Sequence, residues 1–299
     1  MATQLKIPTN IEAVPLHDAI GGEVRGIDLT QPIDAAMQQL LRDLIGEYSI
    51  LLVRGQDITE EQQFAYARSF GPIAERMKPA SEKQAAEQAA KRSKHFDPNN
   101  KMQTISNKRD EDGKLIGALG DGEMWFHTDK CYLQRPYHVS FLYPTALPDR
   151  GGHTLFASLY RAYDLLPDDL KSTLEGRKVL QVYDYGKEGK PAITSKSLDD
   201  ILHFWQPLFL KNPFSGKTAV YASRLMSARI EGMDDDESRA VLDQICDIIE
   251  DDSNIYDHTW KLGDIICWDN YSSLHARTDW PREQERTFRR CLTQGDALY

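Results

Sequence analysis

Arg286-Thr287-Phe288-Arg289-Arg290-Cys291-Leu292 reads as a β-strand whose two-residue alternation sets Arg286, Phe288, Arg290 and Leu292 on one face. That face combines two guanidinium groups with two large apolar side chains. An apolar strand face packs inward, and buried cations need anionic partners because unpaired buried charge is too costly. The strand is one of a series. Short apolar or β-branched runs at 139–143, 154–157, 179–183, 218–222, 265–268 and 287–293 are divided by turn residues. Many short strands with no parallel strand–helix–strand rhythm suggest a barrel or jelly roll. Helices flank them. Met37, Leu40, Leu41, Leu44, Ile45 and Tyr48 form an amphipathic stripe, followed by a buried strand at 49–53. Thr59 with Gln62 makes a capping-box start for a helix to about residue 70, ended by Gly71-Pro72. A third helix is expected at 236–250, with Val241, Leu242, Ile245, Ile248 and Ile249 on its apolar face. The expected fold is mainly β with flanking helices (α+β), as one domain over residues 1–299.

The anions come into view at two clusters far apart in the chain. His127-Thr128-Asp129 lies upstream, and His275 stands 11 and 15 residues before the two inward arginines. Two histidines and one carboxylate, arranged as a facial triad with open positions, suit a non-haem Fe(II) that must also bind a co-substrate and oxygen. A lone His-x-Asp is weak evidence, since His95-Phe96-Asp97 is another; there a solvated histidine and an aspartate capping the turn before Pro98-Asn99-Asn100 suffice. No dinucleotide-binding, phosphate-loop, serine-hydrolase or H-E-x-x-H motif is present.

Taken together, these motifs resemble the taurine/2,4-dichlorophenoxyacetate dioxygenases, which are Fe(II)- and 2-oxoglutarate-dependent oxygenases, over nearly the whole chain. Ser49-Ile-Leu-Leu-Val-Arg-Gly-Gln56 with Phe70-Gly-Pro72 is similar to the family's N-terminal strand and helix, and Trp125-Phe-His-Thr-Asp129 to its first metal motif. Gly151-Gly-His-Thr154 is similar to its glycine-rich turn, and Gly263-Asp264 through Trp268-Asp-Asn270 to His275 to its distal motif. The spacings to Arg286 and Arg290 also match.

The resemblance implies a double-stranded β-helix (cupin-like jelly roll) in which His127, Asp129 and His275 hold Fe(II). It further implies that 2-oxoglutarate chelates the metal, with its other carboxylate on Arg286 and the Thr154 hydroxyl. Arg290 would touch 2-oxoglutarate, the substrate anion, or both. Oxygen is the other co-substrate, and succinate and CO2 are the co-products. Retention of Asp129 argues against halogenation, for which relatives give up the carboxylate. Asn107, Lys130 and Tyr132 are candidates for the substrate entrance. Asp264 and Asp269-Asn270 are expected to fix turns around the distal histidine. His153 and Tyr271 depart from the family pattern, which carries an acidic and a basic residue there. His203 and Trp205 offer either a pocket wall or plain core, and His17, His138 and His258 have no motif around them.

Bulk properties narrow the partners. The net charge of −10 gives no general nucleic-acid or anionic-membrane surface, so local arginines serve specific anions. The chain start lacks a signal-peptide core and no apolar run approaches membrane-spanning length, so a cytoplasmic protein is expected. Four scattered cysteines without a Cys-x-x-Cys pair read as reduced, packed thiols. A homo-oligomer is compatible with the sequence. Residues 77–122 read as an insert or lid: Ala-, Gln- and Lys-rich at 81–94, then polar, with a turn at 110–113. The expected reaction is hydroxylation of a small organic acid of aryloxyalkanoate, sulfonate or sulfate-ester type, with C–O or C–S cleavage where the product is unstable. Two alternatives stand beside it: a biosynthetic hydroxylase or desaturase of a larger metabolite with the same iron site, and a non-catalytic jelly roll that binds metal and 2-oxoglutarate.

Overall fold

The first helix and the strand after it set the layering. Helix α1 (Ala35–Tyr48) starts at Asp34, whose side chain accepts from the Met37 amide at 2.8 Å, and it buries Leu40, Leu41, Leu44 and Ile45. All four residues of β3 (Ile50–Val53) are buried, so both faces of this strand must be covered. Helix α2 (Glu60–Arg68) opens with the expected capping box between Thr59 and Gln62. The computed structural model describes residues 11–77, 93–94, 96–97, 99–118, 122–183, 198 and 201–298.

Strand β3 belongs to a seven-stranded sheet. Its order is β1 (Glu12–Pro15), β2 (Gly22–Arg25), β3, β14 (Ile265–Asp269), β6 (Val139–Ala146), β16 (Thr287–Leu292) and β4 (Gln103–Ser106). One face, with Leu51, Val53, Phe141, Ile265 and Cys267, packs on Leu41, Leu44, Tyr66 and Phe70 at the helices. The opposite face, with Ile50, Leu52, Leu142, Ile266, Trp268 and Phe288, packs on Phe156 of a second sheet. That sheet runs β13 (Ile255–His258), β7 (Thr154–Ser158), β15 (Ser273–Arg277) and β5 (Met124–His127). Two facing sheets, mostly antiparallel, with a site between them form the jelly-roll core that the strand series predicts.

Elsewhere a three-stranded sheet of β12 (Ser227–Ile230), β8 (Lys178–Val182) and β9 (His203–Pro207) accompanies a hairpin of β10 (Phe209–Lys211) and β11 (Thr218–Val220). Helices α3 (Leu159–Leu165), α4 (Asp168–Leu174) and α5 (Asp235–Ile249) border this region, where Leu159, Ala162, Val220, Leu242, Ile245 and Ile249 share one core. Among the described residues, no helix is long and apolar enough to cross a membrane. All four cysteines are free and buried.

The region expected to be an insert is partly woven into the main sheet. Within it, β4 pairs with β16 from Thr287↔Ser106 to Arg290↔Gln103, and Ile105 is buried. The turn at 110–113 forms as read, with the Gly113 amide donating to the Asp110 carbonyl at 3.0 Å and Gly113 at φ 74°. Most of the Ala-rich stretch and His95 lie outside the described residues. Asp97 caps the next turn, accepting from the Asn99 amide at 2.8 Å. The strand expected to run to residue 222 ends at Val220.

Candidate active site

Strands β5 and β15 are antiparallel neighbours with His275 directly opposite His127, so both rings project to one side with centroids 4.2 Å apart. Asp129 follows two residues after β5, just before Lys130, which has the unusual φ of 62°. Four hydrogen bonds fix this turn. Thr128 Oγ1 donates to the Asn270 carbonyl at 2.7 Å, and the Asp129 amide donates to Asn270 Oδ1 at 3.3 Å. Ser140 Oγ donates to Asp129 Oδ2 at 2.5 Å and in turn accepts from Asn270 Nδ2 at 2.9 Å. Trp268 Nε1 donates to Asn270 Oδ1 at 3.1 Å, while Asp269 accepts from the Tyr271 amide at 2.8 Å, Asn212 at 2.7 Å and Ser272 at 2.9 Å. The Trp268-Asp269-Asn270 run therefore anchors both the carboxylate and the strand that carries His275. Asp264 acts further away: it holds the turn before β14 through Arg54 at 2.9 Å and the Lys261 amide at 3.0 Å.

Ligand atoms of His127, Asp129 and His275 all lie within 4.8 Å of one another. His127 Nδ1 donates to the Trp125 carbonyl at 2.7 Å, which fixes the tautomer and leaves Nε2 as a lone-pair donor. Among the described residues, buried His275 Nδ1 has no hydrogen-bond partner. Two imidazoles and a carboxylate converging, with an unpartnered ring nitrogen among them, fit a divalent metal ion of the non-haem iron type.

Electrostatics favours the metal-ready protonation state. Burial lowers the pKa of both His127 and His275. For Asp129 burial acts upward, but Arg290, the two imidazoles and the Ser140 hydroxyl prevail and hold the carboxyl well below its usual range. Burial depresses His138 and His258 as well. Below the ordinary histidine pKa of about 6.5 the unfolded chain takes up protons that the folded protein refuses, so stability falls with pH in that window. The melting temperature of the metal-free protein is expected to hold above about pH 7 and to drop as pH falls below about 6.5. A melting temperature that rises on acidification contradicts this.

Arginine chemistry completes the pocket, whose lining includes Met124, Leu142, Thr154, Trp268, Arg277, Arg286 and Arg290. The Arg290 guanidinium sits on the Asp129 carboxylate. Arg286 is 2% exposed. Its Nε donates to the Gly152 carbonyl at 2.9 Å, and its guanidinium stacks over Phe288 at 4.2 Å and Trp280 at 5.3 Å. No carboxylate among the described residues pairs with it. Burial first, then Arg277, disfavours its charged form. A guanidinium nevertheless keeps its proton at neutral pH, so the charge is held in readiness for an anion. Gly152 is required here: at φ 66°, a β-carbon would also lie 2.9 Å from Arg286 Cδ and Nε.

Other candidates take different places. Asn107 spends its side chain on the chain around Arg286: Nδ2 donates to the carbonyls of Arg282 at 3.1 Å and Gln284 at 2.8 Å, and Oδ1 accepts from the Arg286 amide at 2.9 Å. Lys130 and Tyr132 lie outside the pocket lining. The Lys130 ammonium donates to Tyr132 OH at 2.8 Å and rests over the Tyr132 and Tyr183 rings. Burial, then Arg290, brings its pKa down to about 8. His203 and Trp205 are exposed on β9 and line neither pocket nor core. His153 pairs with Asp257 at 2.9 Å, and buried Tyr271 donates to the Pro136 carbonyl at 3.3 Å, so both departures from the family pattern serve local structure. Arg277 went unread, although its two-residue spacing from His275 places both on one strand face.

A family model described as "Taurine catabolism dioxygenase TauD, TfdA family" matches residues 12–292. The chain belongs to this family. Proteins similar to it include pentalenolactone F synthase of Streptomyces avermitilis, 29% identical over 93% of this chain and 92% of that protein. Another is the alpha-ketoglutarate-dependent 2,4-dichlorophenoxyacetate dioxygenase of Cupriavidus pinatubonensis, 28% identical over 97% and 99%. Among solved structures, AAD-2 in complex with Mn(II) and N-oxalylglycine superposes with a TM-score of 0.77 at 24% identity, covering 97% of this chain and 99% of that one, which speaks to the fold. As a TauD/TfdA enzyme the chain is a 2-oxoglutarate-dependent dioxygenase with a jelly-roll core.

Proposed function

We propose that His127, Asp129 and His275 bind Fe(II), that Arg286 and Thr154 receive the remote carboxylate of 2-oxoglutarate, and that the enzyme hydroxylates a small organic acid. The observation that carries this reading is Arg286: a buried guanidinium without an anion, lining the same pocket as the two histidines. When bound, the metal and 2-oxoglutarate supply O2-dependent oxidation coupled to decarboxylation, yielding succinate and CO2.

The chain's own part is placement and exclusion. Arg286 offers a planar fork to the remote carboxylate and so sets the angle at which the co-substrate reaches the histidines. Arg290 neutralises Asp129 and adds positive charge at the wall where an anionic substrate group arrives. Ile105, Met124, Leu142 and Trp268 give the pocket an apolar wall beside its arginines, which suits an acid with an apolar body. The relative acting on 2,4-dichlorophenoxyacetate supports an aryloxyalkanoate. Sulfonates and sulfate esters carry an anionic head of the same kind. Likeness to pentalenolactone F synthase supports a second reading, biosynthetic oxidation of a larger metabolite at the same site.

The test is succinate release across aryloxyalkanoates, alkyl sulfonates, sulfate esters and polycyclic lactones. Coupled release with a small acid is the expected result. Coupling confined to lactones moves the second reading forward, and binding without succinate from any compound supports a non-catalytic role.

A further inference from the structure

We propose that Trp260 is a positioning residue for the co-substrate: its indole N–H fixes the Thr154 hydroxyl so that the hydroxyl proton is directed at an anionic oxygen in the pocket. This rests on the co-substrate reading given above and names the residue that orients half of its anion cradle. Trp260 lies between β13 and β14, 8% exposed, and its Nε1 donates to Thr154 Oγ1 at 3.0 Å. Thr154 is 3% exposed and lines the pocket with Arg286.

Donor and acceptor inventory decides where the hydroxyl proton goes. An indole N–H only donates, so Thr154 uses a lone pair to accept from it and must send its own proton elsewhere. Among the described residues no acceptor takes that proton. A buried hydroxyl with its acceptor side engaged and its proton uncommitted, at a pocket wall shared with an unpaired guanidinium, is a donor prepared for a carboxylate. Without Trp260 the hydroxyl rotates freely, and part of its binding energy is lost to ordering.

The indole is itself held from several sides. Its ring stands edge-on to Phe288 at 4.9 Å and to His258 at 4.6 Å. His258 Nδ1 bonds the Tyr256 hydroxyl at 2.9 Å and its Nε2 lies 3.2 Å from Asp264, which is itself held by Arg54 at 2.9 Å. Phe288 also carries the Arg286 guanidinium at 4.2 Å. One aromatic cluster therefore supports both parts of the cradle, the guanidinium through Phe288 and the hydroxyl through Trp260.

The experiment is anaerobic titration of the Fe(II)-loaded full chain with 2-oxoglutarate, read by visible absorption, alongside calorimetry of the Mn(II)-loaded chain with N-oxalylglycine. Trp260→Phe removes the N–H and keeps an aromatic ring. Its Kd for both ligands is expected to rise about fivefold, the worth of roughly one hydrogen bond, with Mn(II) affinity unchanged. Thr154→Val is expected to weaken binding at least as much. Adding Trp260→Phe to Thr154→Val should cost nothing further, because the indole acts only through the hydroxyl. Wild-type affinity in Trp260→Phe, or full additivity in the double variant, overturns the proposal. If wild type binds no 2-oxoglutarate, the co-substrate reading fails instead. Should Trp260→Phe not fold, the Zn(II)-loaded wild type serves: the indole N–H resonance shifted by Thr154→Val should also move when 2-oxoglutarate is added, and its failure to move overturns the proposal.

Discussion

Fe(II) and 2-oxoglutarate added without oxygen are expected to give the wild-type protein a weak visible charge-transfer band, which His127→Ala and Asp129→Ala lose together with turnover. The two variants should nevertheless differ in stability. His127 makes one ring hydrogen bond, to the Trp125 carbonyl. Asp129 is the partner of Arg290, and the two are 7% and 9% exposed. Removing it leaves a buried guanidinium unpaired, a loss of about 3–5 kcal/mol for a broken buried pair. Denaturant unfolding of the metal-free proteins should find Asp129→Ala markedly weaker and His127→Ala near wild type. A band that survives in His127→Ala, or equal stability in the two variants, removes respectively the metal assignment or the role given to the ion pair.

Arg286→Met should move stability and binding in opposite directions. In the wild type an almost wholly buried guanidinium waits without an anion, offset by one carbonyl bond and two aromatic faces. Methionine fills similar volume without the charge, so the metal-free variant is expected to gain on the order of 1 kcal/mol, as when buried ionic groups are replaced by apolar ones. Binding should suffer far more. Truncating one member of a buried, hydrogen-bonded charge pair costs about 2–5 kcal/mol, at least 30-fold in the Kd for 2-oxoglutarate at the low end. Thermal melts with and without the co-substrate check both signs: a higher melting temperature alone, and no further rise when 2-oxoglutarate is added. A variant that binds 2-oxoglutarate normally refutes the place given to Arg286.

Much of this site is written in short-range sequence. The capping box at Thr59, the stripe of α1 and the alternation of 286–292 each depend on residues within one element, and each appears as read. The coming together of His127, Asp129 and His275 was legible because the motifs around them are long. Strand β4 was not legible: Gln103-Thr-Ile-Ser106 has one large apolar residue and becomes a strand by pairing with β16. Helices α3 and α4 are seven residues each, too short to establish a periodicity. The bonds of Asn107 to the chain around Arg286 were not legible, since a polar residue beside a site reads alike whether it meets the ligand or the backbone behind it. Trp260 was missed because its partner, Thr154, comes from another strand.

The pairing of β5 with β15 has a bearing on how the protein comes to be folded. Those neighbours bring together His127 and His275, which are far apart in the chain, and β14, which precedes the second of them, lies between β3 and β6 in the other sheet. Contacts this distant along the chain cannot form by local collapse, and closing such loops costs entropy before any contact rewards it, which slows folding. The triad proposed to hold the metal therefore exists only once the topology is complete. A divalent ion bound there would favour the native state alone, so its free concentration would add directly to the free energy of unfolding. Metal supply would thus act on the amount of folded enzyme as well as on its turnover.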